Sequence, residues 1–297
     1  MTITNSTIDP ARTQPALRAI ETGFSASVLH PGVLEALQAL GLDVRDVADV
    51  NIVTRATAMR TDSPEVVWST FFNPNPERIN ALVPSMGKVA SFDAILAAQA
   101  DALDEPFATA TASMAPNDLR ELASLCRTAT EAANQNCEGR PLFAGLASLP
   151  LPAEDHMMVW HAGRLLREHR GDGHIAALVV EGLGRIDALV VHAAMLPFMA
   201  DGLRRSRRWG MDEWKASMAS LRERGWLTDD DDPTFTPEGQ ARREWIEDRT
   251  NELAAVAFDG IGNDGVDRLI ELGTLYTAAL ESGGLGSTLM VAIPMGD

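Results

Sequence analysis

Between Val159 and His174 the chain reads VWHAGRLLREHRGDGH, which places three of its six histidines, His161, His169 and His174, on one short stretch. Arg164, Arg167, Glu168, Arg170 and Asp172 stand among them. Imidazole titrates near neutral pH, so it is the side chain best suited to proton transfer, and a nearby carboxylate can fix its tautomer and orientation. On that basis His161 is the expected acid or base at the edge of a pocket, with Glu168, His169 and Asp172 orienting it. His174 and His192, the latter after an apolar run, are further candidates for the same pocket. Each histidine also has a plainer explanation: His161 and His192 as core residues bonded to backbone, His169 as a cation at a helix C-terminus closed by Gly171 or Gly173.

Metal and cofactor chemistry finds little support. The spacing of His161, His169 and His174 matches no tight ligand pattern, and Cys126 and Cys137 form no CxxC pair. No cofactor is expected, with a histidine-held metal or haem kept as alternatives. No Gly-rich dinucleotide turn follows a strand, and there is no P-loop and no G-x-S-x-G elbow.

The elements that must position these groups read as helices. Ala and Leu abound, aromatic residues are sparse, and most windows carry helical rather than alternating periodicity. Helices are expected over Pro15–Leu29, Gly32–Leu40, Val44–Met59, Pro64–Phe72, Pro76–Val83, Phe92–Leu103 and Asn117–Asn134. A Pro/Gly-rich link, GRPLFAGLASLPLPAED, follows. The second set is Asp155–His169, His174–Glu181, Arg185–Met199, Met211–Arg224, Pro237–Ala257 and Gly265–Glu281, with breaks at Pro84 and at Gly171 among others.

The chain also lies over itself. Residues 34–50 fall over 175–191 with Ala36/Ala177, Leu37/Leu178, Gly41/Gly182, Leu42/Leu183, Asp46/Asp187 and Val50/Val191 identical. The expected architecture is therefore all-α with short wing β-hairpins: a tandem duplication of a winged-helix-like unit, forming a single-chain pseudo-dimer. Residues 1–11 are a flexible N-terminus, 12–150 the first repeat and 151–297 the second.

The second repeat carries a specific pattern. A helix with Trp214, Met218 and Leu221 on one face is followed by Gly225, a short strand at Trp226-Leu227, the acidic turn TDDDDPTF, and a Thr236 cap with Pro237. LRERGWL…FTPEGQARREWIEDRTNELA resembles the recognition helix, wing and dimerisation helix of MarR-type regulators. More of the chain resembles an actinobacterial family of largely uncharacterised helix-turn-helix or winged-helix proteins. Its signature is similar to WHAGRLLREHRGDGHIAAL at Trp160–Leu178, a VHAA segment at Val191–Ala194, and the block from Trp209 to Gly225. The first repeat departs from that family at Phe24 and Val28, where the resemblance implies a histidine followed by aromatic residues, and agrees with it at Arg55 and Asn73.

Net charge is −17, which keeps a chain in solution and repels polyanions. Seven basic residues between Asp201 and Trp226 favour DNA contact, whereas the Asp229–Asp232 wing opposes it, and on balance DNA is read as an unlikely partner. Two cysteines make no disulfide framework, so a cytoplasmic location is expected, and charges interrupt every apolar run before it could span a membrane. The reading that results is a small-molecule pocket between the repeats, lined by Phe24, Arg55, Trp68, Phe72, Asn73, Trp160 and Arg167, in an enzyme of natural-product metabolism that uses histidine acid/base chemistry. A ligand-responsive MarR-like regulator is the alternative, and a ligand-sequestering resistance protein the second. The chain is expected as a monomeric pseudo-dimer or as a homodimer.

Overall fold

The computed structural model describes residues 6–230 and 234–286. These form α1 Thr13–Leu29, α2 Pro31–Ala39, α3 Val47–Ala58, α4 Pro64–Phe71, α5 Pro76–Val89, α6 Phe92–Thr111, α7 Pro116–Asn134, α8 Pro141–Ala147, α9 Asp155–Val180, α10 Arg185–Met195, α11 Ala200–Ser206, α12 Met211–Glu223, α13 Pro237–Ala255 and α14 Gly262–Leu280. Proline opens α2, α4, α5, α7, α8 and α13, where its missing N–H would have no intrahelical partner in any case. Side-chain caps fix other starts: Asp46 accepts from Asp49 N, Ser91 from Ala94 N and Thr236 from Gly239 N.

Helix α9 is the axis of the molecule. It is buried on nearly every face from Met157 to Gly173, which marks a helix enclosed by others. It packs against α1, α7, α8 and α13, and α1 packs in turn against α14. These crossings are close because glycines stand at them. A Cβ on Gly163 of α9 would come within 2.9 Å of the Ile20 carbonyl of α1, and one on Gly273 of α14 within 2.8 Å of the Ala19 carbonyl. One large apolar core therefore draws on residues from Ile8 to Leu166 and again from Ala255 to Leu280. A smaller core gathers the end of α9, helices α10 to α12, and Trp226, Leu227 and Ile246, with Phe72 against its edge.

The smaller core holds a compact three-helix unit. Helix α10 packs against α11 and α12. Leu227 then pairs with Phe235, and Thr228 N–H donates to the Thr234 carbonyl at 2.9 Å. Among the described residues this is the only β pairing. Asp229 and Asp230 at its tip are exposed, whereas Asp231, Asp232 and Pro233 of the expected wing lie outside the described residues. In the first half, α3 and α4 both pack on α5, which ends at Val89 with α6 beginning at Phe92. Two intervening residues are too few for a hairpin, so no wing follows α5.

The structure corrects several expected boundaries. The Gly-Asp-Gly break does not form: α9 runs from Asp155 to Val180 without interruption, and Asp172 is turned into the protein. The C-capping explanation for His169 and Arg170 goes with it. Pro84 lies inside α5, where the carbonyl it frees is on the exposed residue Asn80 and can bond water. Helix α6 runs on through Pro106 to Thr111, and the Pro/Gly-rich link folds in part as α8.

The glycine crossings yield a direct test. Replacing Gly163 by valine inserts a branched side chain against the α1 backbone, and overpacking of this kind costs about 1–3 kcal/mol. Thermal denaturation should show a lower midpoint for Gly163→Val than for the same change at the open, exposed Gly202. Equal midpoints would mean that α1 and α9 are not in close contact.

Candidate functional site

A cavity of about 470 Å³ opens between α1, α3, α9 and α11 and the loop that joins α4 to α5. Of the residues singled out from the sequence, it brings together Phe24, Arg55, Asn73, Arg167, Glu168 and His174. His161, His169, Asp172, His192, Trp68, Phe72 and Trp160 are not on its wall.

The centre of the wall is ionic. Arg55 donates from Nε and from one terminal nitrogen to the two oxygens of Glu168, both at 2.9 Å, and Arg167 donates to the same carboxylate at 2.7 Å. Burial opposes ionisation of Glu168, but Arg55 and Arg167 outweigh it and hold the carboxyl below the usual range. Arg55 lies over the Phe71 ring at 4.4 Å and Arg167 over the Phe24 ring at 4.6 Å. The aromatic side chains are thus already stacked beneath cations.

A third guanidinium, that of Arg207, completes this face of the cavity and was read from the sequence only as part of a basic DNA-facing run. Burial, with Arg55 and Arg167 nearby, lowers its pKa to about 10, so it stays charged at neutral pH. Its terminal nitrogen donates to Ser206 Oγ at 3.0 Å. Among the described residues, no Asp or Glu forms an ion pair with it, whereas Arg78 is paired with Asp49 and Arg208 with Asp46.

The histidines are in less reactive places. His161 is 3% exposed, and burial, together with Arg164, lowers its pKa to about 3. His169 is fully enclosed, edge-on to Phe143 at 4.9 Å, and is likewise lowered to about 3 by burial and by Arg140. Asp172 does not orient either imidazole. Its carboxylate accepts from the backbone N–H groups of Leu142 (3.1 Å) and Phe143 (3.0 Å) at the start of α8, and burial raises its pKa to about 7. His174 bonds Thr250 Oγ1 through Nδ1 at 3.0 Å, and Arg170, Arg243 and His192 stand near it. Neither His161 nor His192, expected to converge on one cavity, lines this one; His174 is an imidazole that comes near His192.

Trp160 is a core residue beneath Arg164, which sits 4.7 Å from its ring. Trp68 is covered by Arg185 in the same way. Among the described residues no three His, Cys, Asp or Glu side chains group as metal ligands, and no single helix is long and apolar enough to cross a membrane.

The shifted groups set the sign of the pH response. His161 and His169 are neutral when folded but protonate near 6.5 when unfolded, so the stability they contribute is present above 6.5 and is lost as pH falls toward 3. Asp172 acts the other way: its contribution is present below 3.8 and lost as pH rises toward 7. His174 is also lowered, so three imidazoles oppose one carboxyl. The melting temperature should fall between about pH 7 and about pH 5, and His161→Phe should flatten part of that slope. A melting temperature that rises on acidification would contradict this assignment.

The chain matches the helix-turn-helix family over residues 13–286. No curated protein and no solved structure matches it. The family match overturns the reading of the chain as an acid/base enzyme that does not bind DNA, because helix-turn-helix is the architecture of DNA-binding regulators. The acidic turn at Asp229 and Asp230 does not outweigh the family match. Residues 13–286 make up nearly the whole molecule, and the chain belongs to the helix-turn-helix family.

Proposed function

We propose that this chain is a ligand-responsive, MarR-like DNA-binding regulator, built as the single-chain counterpart of a regulator dimer. The family match over residues 13–286 carries the DNA-binding part. In this reading residues 12–150 and 151–297 are two winged-helix-like repeats, the second alone retaining a wing. Helices α1 and α2 together correspond to α9, helices α3 to α5 to α10 to α12, and α6 and α7 to α13 and α14. The packing supports this pairing: α1 lies on α14, the last helix of the other half, and α9 lies on α7. Such a crosswise exchange is how two regulator subunits would hold one another. The third helices, α5 and α12, are then the DNA readers.

Charge sets how such a protein would bind. Lys88 and Lys215, the only two lysines of the chain, lie exposed on α5 and α12. Most arginines near α12 have carboxylate or carbonyl partners within the chain. Arg204 and Arg205 pair with Asp201, Arg208 with Asp46, and Arg224 with Asp187, while Arg222 bonds the Thr228 and Asp230 carbonyls. Few cations remain for phosphate, so affinity should depend on base contacts and fall only gently with salt. The cavity between the two units is the ligand site of this reading, with Phe24, Arg55, Asn73, Arg167, Glu168 and His174 among its lining.

Selection from a random duplex library tests it. The chain should enrich a sequence with two half-sites about one helical turn apart. Because α5 and α12 expose largely different side chains, those half-sites should be unlike, which a symmetric dimer would not give. Lys215→Glu should weaken binding to the selected duplex roughly tenfold, replacing an attractive phosphate contact with a repulsive one. No enrichment at about 50 mM salt would sink the proposal.

A further inference from the structure

We infer that the cavity takes an organic anion, a carboxylate on an apolar body, and that Arg207 holds its charged end. The inference rests on the reading of this cavity as the ligand site. A partly buried guanidinium costs free energy unless something neutralises it. The other arginines at the centre of the wall have carboxylates to meet: Arg55 and Arg167 share Glu168, and Arg78 takes Asp49. Among the described residues the Arg207 side chain reaches only a serine hydroxyl. Arg55, Arg167 and Arg207 thus face one cavity, with Glu168 and Glu21 as the carboxylates near them. An incoming anion supplies the missing charge. Bare phosphate would leave much of a 470 Å³ space unfilled, and Leu17, Val28 and Leu178 line the rest with hydrocarbon.

The position of Arg207 also connects the ligand to the DNA-reading helices. Its carbonyl accepts from the backbone N–H of Asn75 at 2.9 Å, and the Asn75 side chain donates to the Arg208 carbonyl at 3.1 Å. Asn75 is the N-cap of α5. Two residues beyond Arg207, the Trp209 indole N–H donates to the Asn73 carbonyl at 2.8 Å, and Gly210 is the N-cap of α12. Residues 73–75 and 207–210 therefore clasp the starts of α5 and α12 together. An anion on Arg207 acts on a residue of that clasp, where a small displacement alters the spacing of the two helices.

The test uses the full DNA-free chain with 2-naphthoate, its neutral counterpart 2-naphthamide, and inorganic phosphate, followed by calorimetry. The acid should bind at least about tenfold more tightly than the amide, since a charge-assisted pair is at stake. Arg207→Gln should erase that preference, and Arg207→Lys should keep part of it. Should Arg207→Gln fail to fold, the preference of the native chain and its reduction in Arg207→Lys decide the matter. Equal binding of acid and amide, binding of neither, phosphate binding as tightly as the acid, or an undiminished preference in the lysine variant would each overturn the inference. DNA selection is a separate measurement, so loss of either result leaves the other standing. In the bound state, 2-naphthoate should change affinity for the selected duplex, and Trp209→Phe, which keeps the ring but removes the clasp donor, should blunt that change while leaving acid binding intact.

Discussion

The structure depends on how closely α1 can approach the two helices that hold it. Gly163 in α9 and Gly273 in α14 bring helix backbones within a distance at which any side chain would collide with the Ile20 or Ala19 carbonyl. This pinning joins the beginning, middle and end of the chain in one core, so the two halves cannot separate without opening it. Every other feature hangs from this arrangement. Helix α9 is fixed along its length, its charged residues face fixed partners, and the cavity beside it keeps a defined shape.

A core helix as rich in charge as α9 is costly to enclose, and it is tolerable because each group finds a specific partner. Glu168 takes two guanidiniums, Arg170 takes Glu247 and Asn251, and Asp172 takes the first free N–H groups of α8. Arg140 ties the same region together by donating to the carbonyls of His169 and Leu253. Removing one member of such a buried network typically costs about 3–5 kcal/mol, because its partner is left charged and dry. What looks in the sequence like a reactive cluster is, for the most part, a structural one. The exception is the edge facing the cavity, where the positive groups outnumber the negative.

That excess is notable in a protein whose net charge is −17. The acidic groups are spread over the outside, while arginines gather around the cavity and along the clasp between the two three-helix units. The arrangement draws small anions inward and limits nonspecific attraction to polyanions. In the regulator proposed above this would separate the two partners: DNA would be read by the few side chains exposed on α5 and α12, and the ligand by charge within.

The sequence by itself determined the helical class and most helix starts, since these follow from local rules: proline at the first position, Ser, Thr or Asp caps, and apolar periodicity. The clustering of titratable groups pointed to Arg167, Glu168 and His174, apolar lining to Phe24, and the family resemblance to Arg55 and Asn73, and these do meet at the cavity. Only the tertiary structure decided the rest. Gly171-Asp172-Gly173 carries every local mark of a break, yet α9 continues because α8, thirty residues earlier, supplies hydrogen bonds for Asp172. His161 lost its apparent chemistry for the same kind of reason: burial against Arg164 is a property of the fold and not of its neighbours in sequence. Arg207 sits in a run of arginines whose members look alike until the fold gives each a different partner. Which of them is left facing a cavity without a carboxylate is a question of distances across the chain, and periodicity along it holds no record of them.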